Sequence, residues 1–579
     1  MPTHSQRAEP IATETLVSSF IFPMSHRLSV FSLALAPVYS VWGQQAPDAG
    51  RVLQEQQQII PTVPSAPQVN VPLLQATESA AKAPAGAQVV LQGVEFAGNT
   101  VFANSVLQEV LGLVSGQSLD LPGMQGLTEQ VTAFYRQAGY PLSYAFLPEQ
   151  NLTEGTLRIQ VVEGRYGQIQ AFSNGEIDQE AQAFLAALQP GQPIANQQLE
   201  RTLRVLGEQP GVKVTSSTMR AGKEAGTGNL DVRVQRGQAF KGELGFDNHG
   251  NRFTGAHGLR AVVQWDSPFM LGDQITAQAT RTDEQLWFGH LGYSLPMGVS
   301  GLRASVGHAK TSYQLAKDFA NLGATGTAEV SSIGLSYPLL RTQEANWSMG
   351  VHYEHKKLND KRASFGADEH KTVDAMAMAL QFDVRDHWAG GGISYGSISW
   401  TPGKLSLDES LKLADQSSGR FAEGHFNKLG FNMARLQATA MERVTLFGRL
   451  TAQWADQNLD SSEKMSLGGA NGVRAYPVGE GMGDGGWLAQ LELRYALGSF
   501  TPFAFYDAGR VQLNAQIATM TTEVIQNQRA VAGAGAGLRY SEGSWMSDVA
   551  LAWRTRGGSP EADTTRSSPR VWVKVTYKL

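Results

Sequence analysis

Residues Leu467 to Trp487 read LGGANGVRAYPVGEGMGDGGW, a glycine-rich run carrying a single arginine, Arg474, with Tyr476 and Pro477 close behind it. So many glycines let a backbone take positive φ and approach other segments closely. Left free, such a loop would cost ordering entropy with no packing in return, so something must hold it. Further along, Phe503, Phe505, Asp507 and Gly509 fall on one face of an alternating stretch, and Ala504, Tyr506 and Ala508 on the other. A carboxylate between phenylalanines calls for a cation, and Arg474 is the one arginine in the loop. The competing reading is a surface loop and an unrelated strand.

The motif Val473, Arg474, Ala475, Tyr476, followed by Phe505, Tyr506, Asp507, Ala508, Gly509, resembles the paired signatures of two-partner secretion transporters. These are outer-membrane barrels of the haemolysin and filamentous haemagglutinin secretion-activation family. The commoner family form has glycine where Ala475 stands, which leaves the arginine and tyrosine in place. The resemblance implies that the loop is the sixth extracellular one and folds back into the barrel lumen. It also implies an anchor made of Arg474, Tyr476, Phe505, Asp507 and Gly509, with Arg474 paired to Asp507 on the inner wall. Spacing alone only permits those roles.

With 579 residues, 62 glycines and 17% charged residues, the chain is too long for one ordinary domain and rich in turn residues. A net charge of −5 offers no basic stripe, which excludes nucleic acid as a partner. The absence of cysteine removes any disulfide framework or thiolate metal site and suits export through an oxidising compartment. No long apolar run predicts a membrane helix, a test to which a barrel is blind. His26 and Arg27 precede the uncharged stretch Leu28 to Gly43, so 24–43 reads as a signal peptide and 1–23 as lying upstream of the true start at Met24.

Taken in order, 44–60 is expected to hold a short plug helix, with Arg51 to Ile60 (RVLQEQQQII) as its sequence, too short to stand without docking. Prolines 61, 64, 67, 72 and 84 mark 61–87 as an extended periplasmic linker. From 88 to 165 the pattern is strand, helix, helix, strand, strand: Val94 and Phe96 alternate, Leu127, Val131 and Phe134 recur at helical spacing, and Leu157, Ile159 and Val161 alternate again. Residues 166–238 repeat the outline, with Leu199, Leu203 and Leu206 on a helix face, a turn at Pro210 and Gly211, and Leu230, Val232 and Val234 in the final strand. Both units look like polypeptide-transport-associated (POTRA) domains. In the family these capture unfolded chain by adding it to an exposed sheet edge.

From 239 to 579 short alternating segments rich in glycine and aromatics predict a transmembrane antiparallel β-barrel of 16 strands, each of about 9 to 11 residues. A soluble β-sandwich is the alternative. In the last segment Val571, Val573, Val575, Tyr577 and Leu579 share one face and Lys574, Thr576 and Lys578 the other, as a closing strand between lipid and a wet lumen requires. Leu579 departs from the phenylalanine that commonly ends such barrels.

The fold class expected is therefore N-terminal α+β POTRA repeats followed by the barrel. Gly392, Ser394 and Gly396 fit the hydrolase nucleophile elbow, but the residues after them continue as strand. His352 and His355 would point to opposite faces, which excludes a metal pair. Gly533, Gly535 and Gly537 imitate part of a nucleotide loop but suit curvature or close packing in a strand. The expectation is no enzyme, no catalytic residue, no cofactor, no metal and no nucleotide. Two functional classes follow from the resemblance. The favoured one is a protein-conducting transporter that secretes and activates a partner exoprotein, such as a haemolysin or adhesin, with outer-membrane lipid and the barrel assembly machinery as further partners. The alternative is a membrane-protein insertase of the same superfamily.

Overall fold

A computed structural model describes residues 46–57, 64, 86–174, 177–517 and 526–579. The expected signal peptide at 24–43, the residues before it, and the expected linker apart from Pro64, Gly86 and Ala87 lie outside the described residues.

Two α+β modules precede the barrel. In the first, strand Gly93–Ala97 runs parallel to the central Thr156–Val162, whose other edge pairs antiparallel with Tyr144–Phe146. Helix Leu121–Gln137 starts where the Asp120 side chain accepts from the Gly123 amide, with proline in its first turn. Its buried face is Met124, Leu127, Val131 and Tyr135, packed on Phe96, Leu157, Ile159 and Val161. Phe134, expected on that face, is only partly buried and meets Phe102 at 4.8 Å, because Tyr135 takes the centre. Tyr135 does so by donating its hydroxyl to the carboxylate of Glu163, 3.0 Å away. Burial would raise the pKa of Glu163, but bonds from the Thr100 hydroxyl and the Val101 and Thr100 amides outweigh it, so its pKa is lowered. Burial, and then Glu163 itself, push the Tyr135 phenol up.

The second module repeats this order. Strand Arg165–Phe172 runs parallel to Thr227–Arg236, which pairs antiparallel with Val212–Ala221. Leu199, Leu203 and Leu206 of helix Asn196–Gly207 are buried against Leu230, Val232 and Val234. This helix also docks the module on the near rim of the barrel. Arg201 donates to the carbonyls of Pro338 (2.7 Å), Leu339 and Ser300 and to the Tyr337 hydroxyl (3.0 Å). Glu208 pairs with Arg341 at 2.9 Å, and Ser267 donates to the Pro210 carbonyl.

The remainder closes into an antiparallel barrel of 16 strands, each bonded to its neighbours in the chain, with Arg570–Lys578 returning to Phe240–Asp247. Alternation sorts side chains between the two faces. Leu259, Leu291, Ile333 and Leu491 stand exposed on the outside, as lipid requires. The near end carries an aromatic belt that includes the stacked pairs Phe240 with Trp265 and Trp347 with Phe382, and Trp545 beside Tyr577. In the closing strand Lys574 lies across from Asp247 and Lys578 across from Glu243 on the inner face, while Val571 is exposed outside.

Strand length departs from expectation. Ala324–Arg341 and Ala345–Arg362 have 18 residues each and Ala367–Asp386 has 20. The outward series on the first of these explains the excess: Leu335 and Ile333 are apolar, whereas Ser331, Glu329, Thr327 and Thr325 beyond them are polar. The strands continue past the apolar band into water.

Candidate functional site

The site occupies the far half of the lumen, where two segments that are not wall strands fill the interior. The first is helix Ala49–Gln56. It begins two residues before the expected Arg51 because Asp48 caps it, accepting from the Arg51 amide at 2.9 Å. Its expected end at Ile60 lies outside the described residues. Val52 and Leu53 pack with Phe253, Leu358 and Leu405 of the wall and loops. The polar side is tied more firmly: the Ala49 amide donates to Asp360 at 2.9 Å, and Asp48 pairs with Lys371 at 2.8 Å and accepts from Ser461 at 2.7 Å. Lys371 also holds Asp460 at 2.6 Å, so one wall lysine fixes the helix and the neighbouring loop together.

That loop is the second segment. It joins strand Val444–Ala455 to strand Gly485–Tyr495 and is the sixth of the barrel's far-end connections. Its expected end at Trp487 is too late, since Gly485 already pairs with Gln512 and Trp487 is an outward residue of the wall, 42% exposed. The loop narrows through paired strands Met465–Ser466 and Met482–Gly483 and then turns back sharply, the Gly469 amide donating to the Tyr476 carbonyl. Only glycine suits this return: a Cβ on Gly472 would stand 2.1 Å from the Leu467 carbonyl oxygen.

At the tip, Arg474 is 5% exposed and Asp507 is fully buried. The Arg474 Nε and Nη2 donate to the two oxygens of Asp507 at 2.8 and 2.7 Å, and its backbone amide adds a third bond at 3.1 Å. The fork matches the carboxylate as a bidentate pair must. The Phe505 ring lies under the guanidinium at 3.6 Å, with Phe503 farther off at 5.9 Å. Glycines of the next strand make room for these rings: a Cβ on Gly535 would meet Phe505 at 2.3 Å, and one on Gly537 would meet Phe503 at 2.3 Å. Gly509 likewise admits the side chain of Leu467. Tyr476 is buried and its hydroxyl donates between the carbonyls of Arg556 (2.7 Å) and Gly558 (3.0 Å). All five sequence-derived residues thus gather around one loop tip.

Sequence reading missed the rest of the network. Glu492, across the wall from Phe505, takes the remaining Nη1 of Arg474 at 2.7 Å and is shared with Arg494 (2.7 Å) and Arg539 (2.9 Å). The Trp572 indole donates to the Arg474 carbonyl at 2.7 Å. Near the loop's base Glu480 binds Arg529 at 2.6 Å, and Asp484 binds Lys464 at 2.7 Å. Glu492 was findable, since it is on the inward phase of its strand and separated by one residue from Arg494. Ser394 lies inside strand Gly392–Leu407 and bonds Arg435, with no elbow around it.

A closed sixteen-strand wall with a loop folded into its lumen has clear relatives. A family model described as haemolysin secretion/activation protein ShlB/FhaC/HecB matches residues 226–540. The chain belongs to that family. A ShlB-type POTRA domain model matches residues 89–164, the first module. Among curated relatives, the heme/hemopexin transporter protein HuxB of Haemophilus influenzae is 25% identical over 464 residues, 77% of this chain and 80% of that one. The hemolysin transporter protein ShlB of Serratia marcescens is 24% identical over 83% of this chain and 85% of its own. The solved structure of CdiB from Escherichia coli superposes with a TM-score of 0.69 at 19% identity, covering 92% of this chain and 96% of that one, and shows the same fold. The protein is thus an outer-membrane two-partner secretion transporter whose POTRA modules stand in the periplasm, and the near end of the barrel is its periplasmic end.

Proposed function

We propose that this chain threads one unfolded exoprotein through its barrel by displacing two lumenal occupants, the helix Ala49–Gln56 and the Arg474 loop. The observation that carries the reading is that both occupants are fixed by side-chain ion pairs and hydrogen bonds, whereas the wall is closed by a continuous backbone ladder. Occupants held this way leave without opening the wall. The modules 88–165 and 166–238 are read as the capture domains, taking up unfolded chain by strand addition. The stretch 44–60 serves as plug, 61–87 as tether, and outer-membrane lipid covers the apolar face. The closing strand is the feature that the barrel assembly machinery recognises, and no chemical step is catalysed.

The test is secretion of the exoprotein encoded beside this gene in a heterologous Gram-negative host. Appearance of the exoprotein outside the cell with the wild-type chain, and its retention with a chain lacking 88–238 but still inserted, are the expected results. Falling levels of other outer-membrane barrels, with the exoprotein unaffected, would refute transport and favour an insertase.

A further inference from the structure

Between the end of helix Ala49–Gln56, the sixth loop and the wall lies a lumenal cavity of about 310 Å³. Its cations are Lys356, Lys428, Lys464 and Arg449, and its one acid is Glu463. Three of the four cations are already matched. Lys356 and Lys428 both pair with Glu463, and Lys464 pairs with Asp484 behind the cavity.

Arg449 is different. It stands on the inward phase of strand Val444–Ala455, across from Ala434 on one side and Gln490 on the other. Gln490 is turned away, donating to the Gly472 carbonyl. Among the described residues Arg449 makes no ion pair, and its buried Nε has no hydrogen-bond partner. The Oγ of Ser462, in the same lining, is also buried without a partner. Arg449 therefore brings to the cavity a guanidinium that no carboxylate neutralises, while the other cations are spent.

We infer that Arg449 forms a lumenal subsite for carboxylate groups, and that its ligands in use are the acidic side chains of the chain in transit. The inference about the ligand in use rests on the transport reading above; the inference about the site does not. With both occupants in place the cavity is large enough for one glutarate-sized molecule. Its place beside both lumenal occupants puts it along the path they vacate. Arg449 belongs to the wall and stays when the loop carrying Glu463 leaves, so together with Lys356 and Lys428, which that departure frees, it would offer each passing acidic residue a transient pairing.

Glutarate, with uncharged glutaramide as control, is the probe. In calorimetric titration of the purified full-length protein in detergent, glutarate is expected to bind and glutaramide not. Arg449→Gln should weaken glutarate at least ten-fold, and Arg449→Lys should restore part of the affinity. Heat-modifiable gel mobility confirms that each variant is a folded barrel. Equal glutarate binding by wild type and Arg449→Gln, or no binding by either, overturns the site. Secretion of the partner by the wild-type chain is scored separately, so a failed transport reading is distinguishable from a failed site. If the site binds glutarate but Arg449→Gln secretes an acidic-rich and a neutralised passenger segment at the same ratio as wild type, the proposed ligand in use is overturned.

Discussion

Replacing Arg474 by alanine strips the fully buried Asp507 of both side-chain donors and leaves it one backbone amide. Glu492 is less affected, since Arg494 and Arg539 remain on it. The cost is therefore that of orphaning one buried carboxylate, about 3–5 kcal/mol. Asp507→Ala is the milder change: Arg474 keeps Glu492 at 2.7 Å and the Phe505 face, so the loss falls toward about 1.5–3 kcal/mol. These energies are local to the loop, because every backbone bond of the wall survives. They are measurable because the chain has no cysteine. Ser466→Cys, nearly isosteric and 9% exposed, places a single thiol in the closed loop whose labelling by a membrane-impermeant maleimide reports its opening. Adding Arg474→Ala should speed labelling roughly 100- to 3,000-fold at ten-fold per 1.4 kcal/mol, and Asp507→Ala about ten-fold less than that. The double variant should fall short of additivity by about 1–3 kcal/mol. Unchanged labelling in Arg474→Ala, or strict additivity, would refute the anchor.

Three further outcomes are expected. Asp48→Ala removes a helix cap worth about 1 kcal/mol together with the Lys371 pair, and should raise the open-channel frequency in planar bilayers; an unchanged frequency would show that the helix is not a plug. Glu163 has a folded pKa below its ordinary 4.5, so its contribution to the first module is complete above 4.5 and lost as pH falls through the lower folded value. Protease sensitivity of 88–165 should accordingly rise on acidification in the wild type and be pH-independent, though higher throughout, in Glu163→Gln. Arg201→Ala removes four contacts to the barrel rim and should loosen the second module by about 1.5–3 kcal/mol, seen as faster hydrogen exchange in Asn196–Gly207 with strand Ala324–Arg341 unaffected.

Much of this architecture is written in period and punctuation. The two-residue alternation puts Phe503, Phe505, Asp507 and Gly509 on one face, which the family resemblance implies is the inner wall, and the final strand assigns Lys574 and Val571 to opposite faces. What stayed illegible depends on partners distant in the chain. Glu492 meets Arg474 only because the loop folds back, and Lys371 meets Asp48 across a separation of 323 residues. The glycines of 533–537 suit either curvature or close packing in sequence, and only the register with Phe503 and Phe505 shows what is packed. Strand length was misjudged because the alternation continues unbroken where lipid ends and water begins, and only the chemistry of the outward residues changes.

Those unequal strands give the barrel a slanted outline. At about 3.4 Å per residue and a tilt near 40°, the 18- to 20-residue strands rise about 50 Å, while the 8 and 9 residues of Phe240–Asp247 and Arg570–Lys578 rise only about 20–25 Å, roughly the thickness of the apolar band. The outer mouth is therefore a spout with a high back and a low lip. A chain leaving it would pass a wall of unequal height, low beside Phe240–Asp247 and high and polar beside Ala324–Arg341. Emergence acquires a direction in the plane of the membrane, and neighbouring molecules on the cell surface would encounter the passenger from one flank before the other.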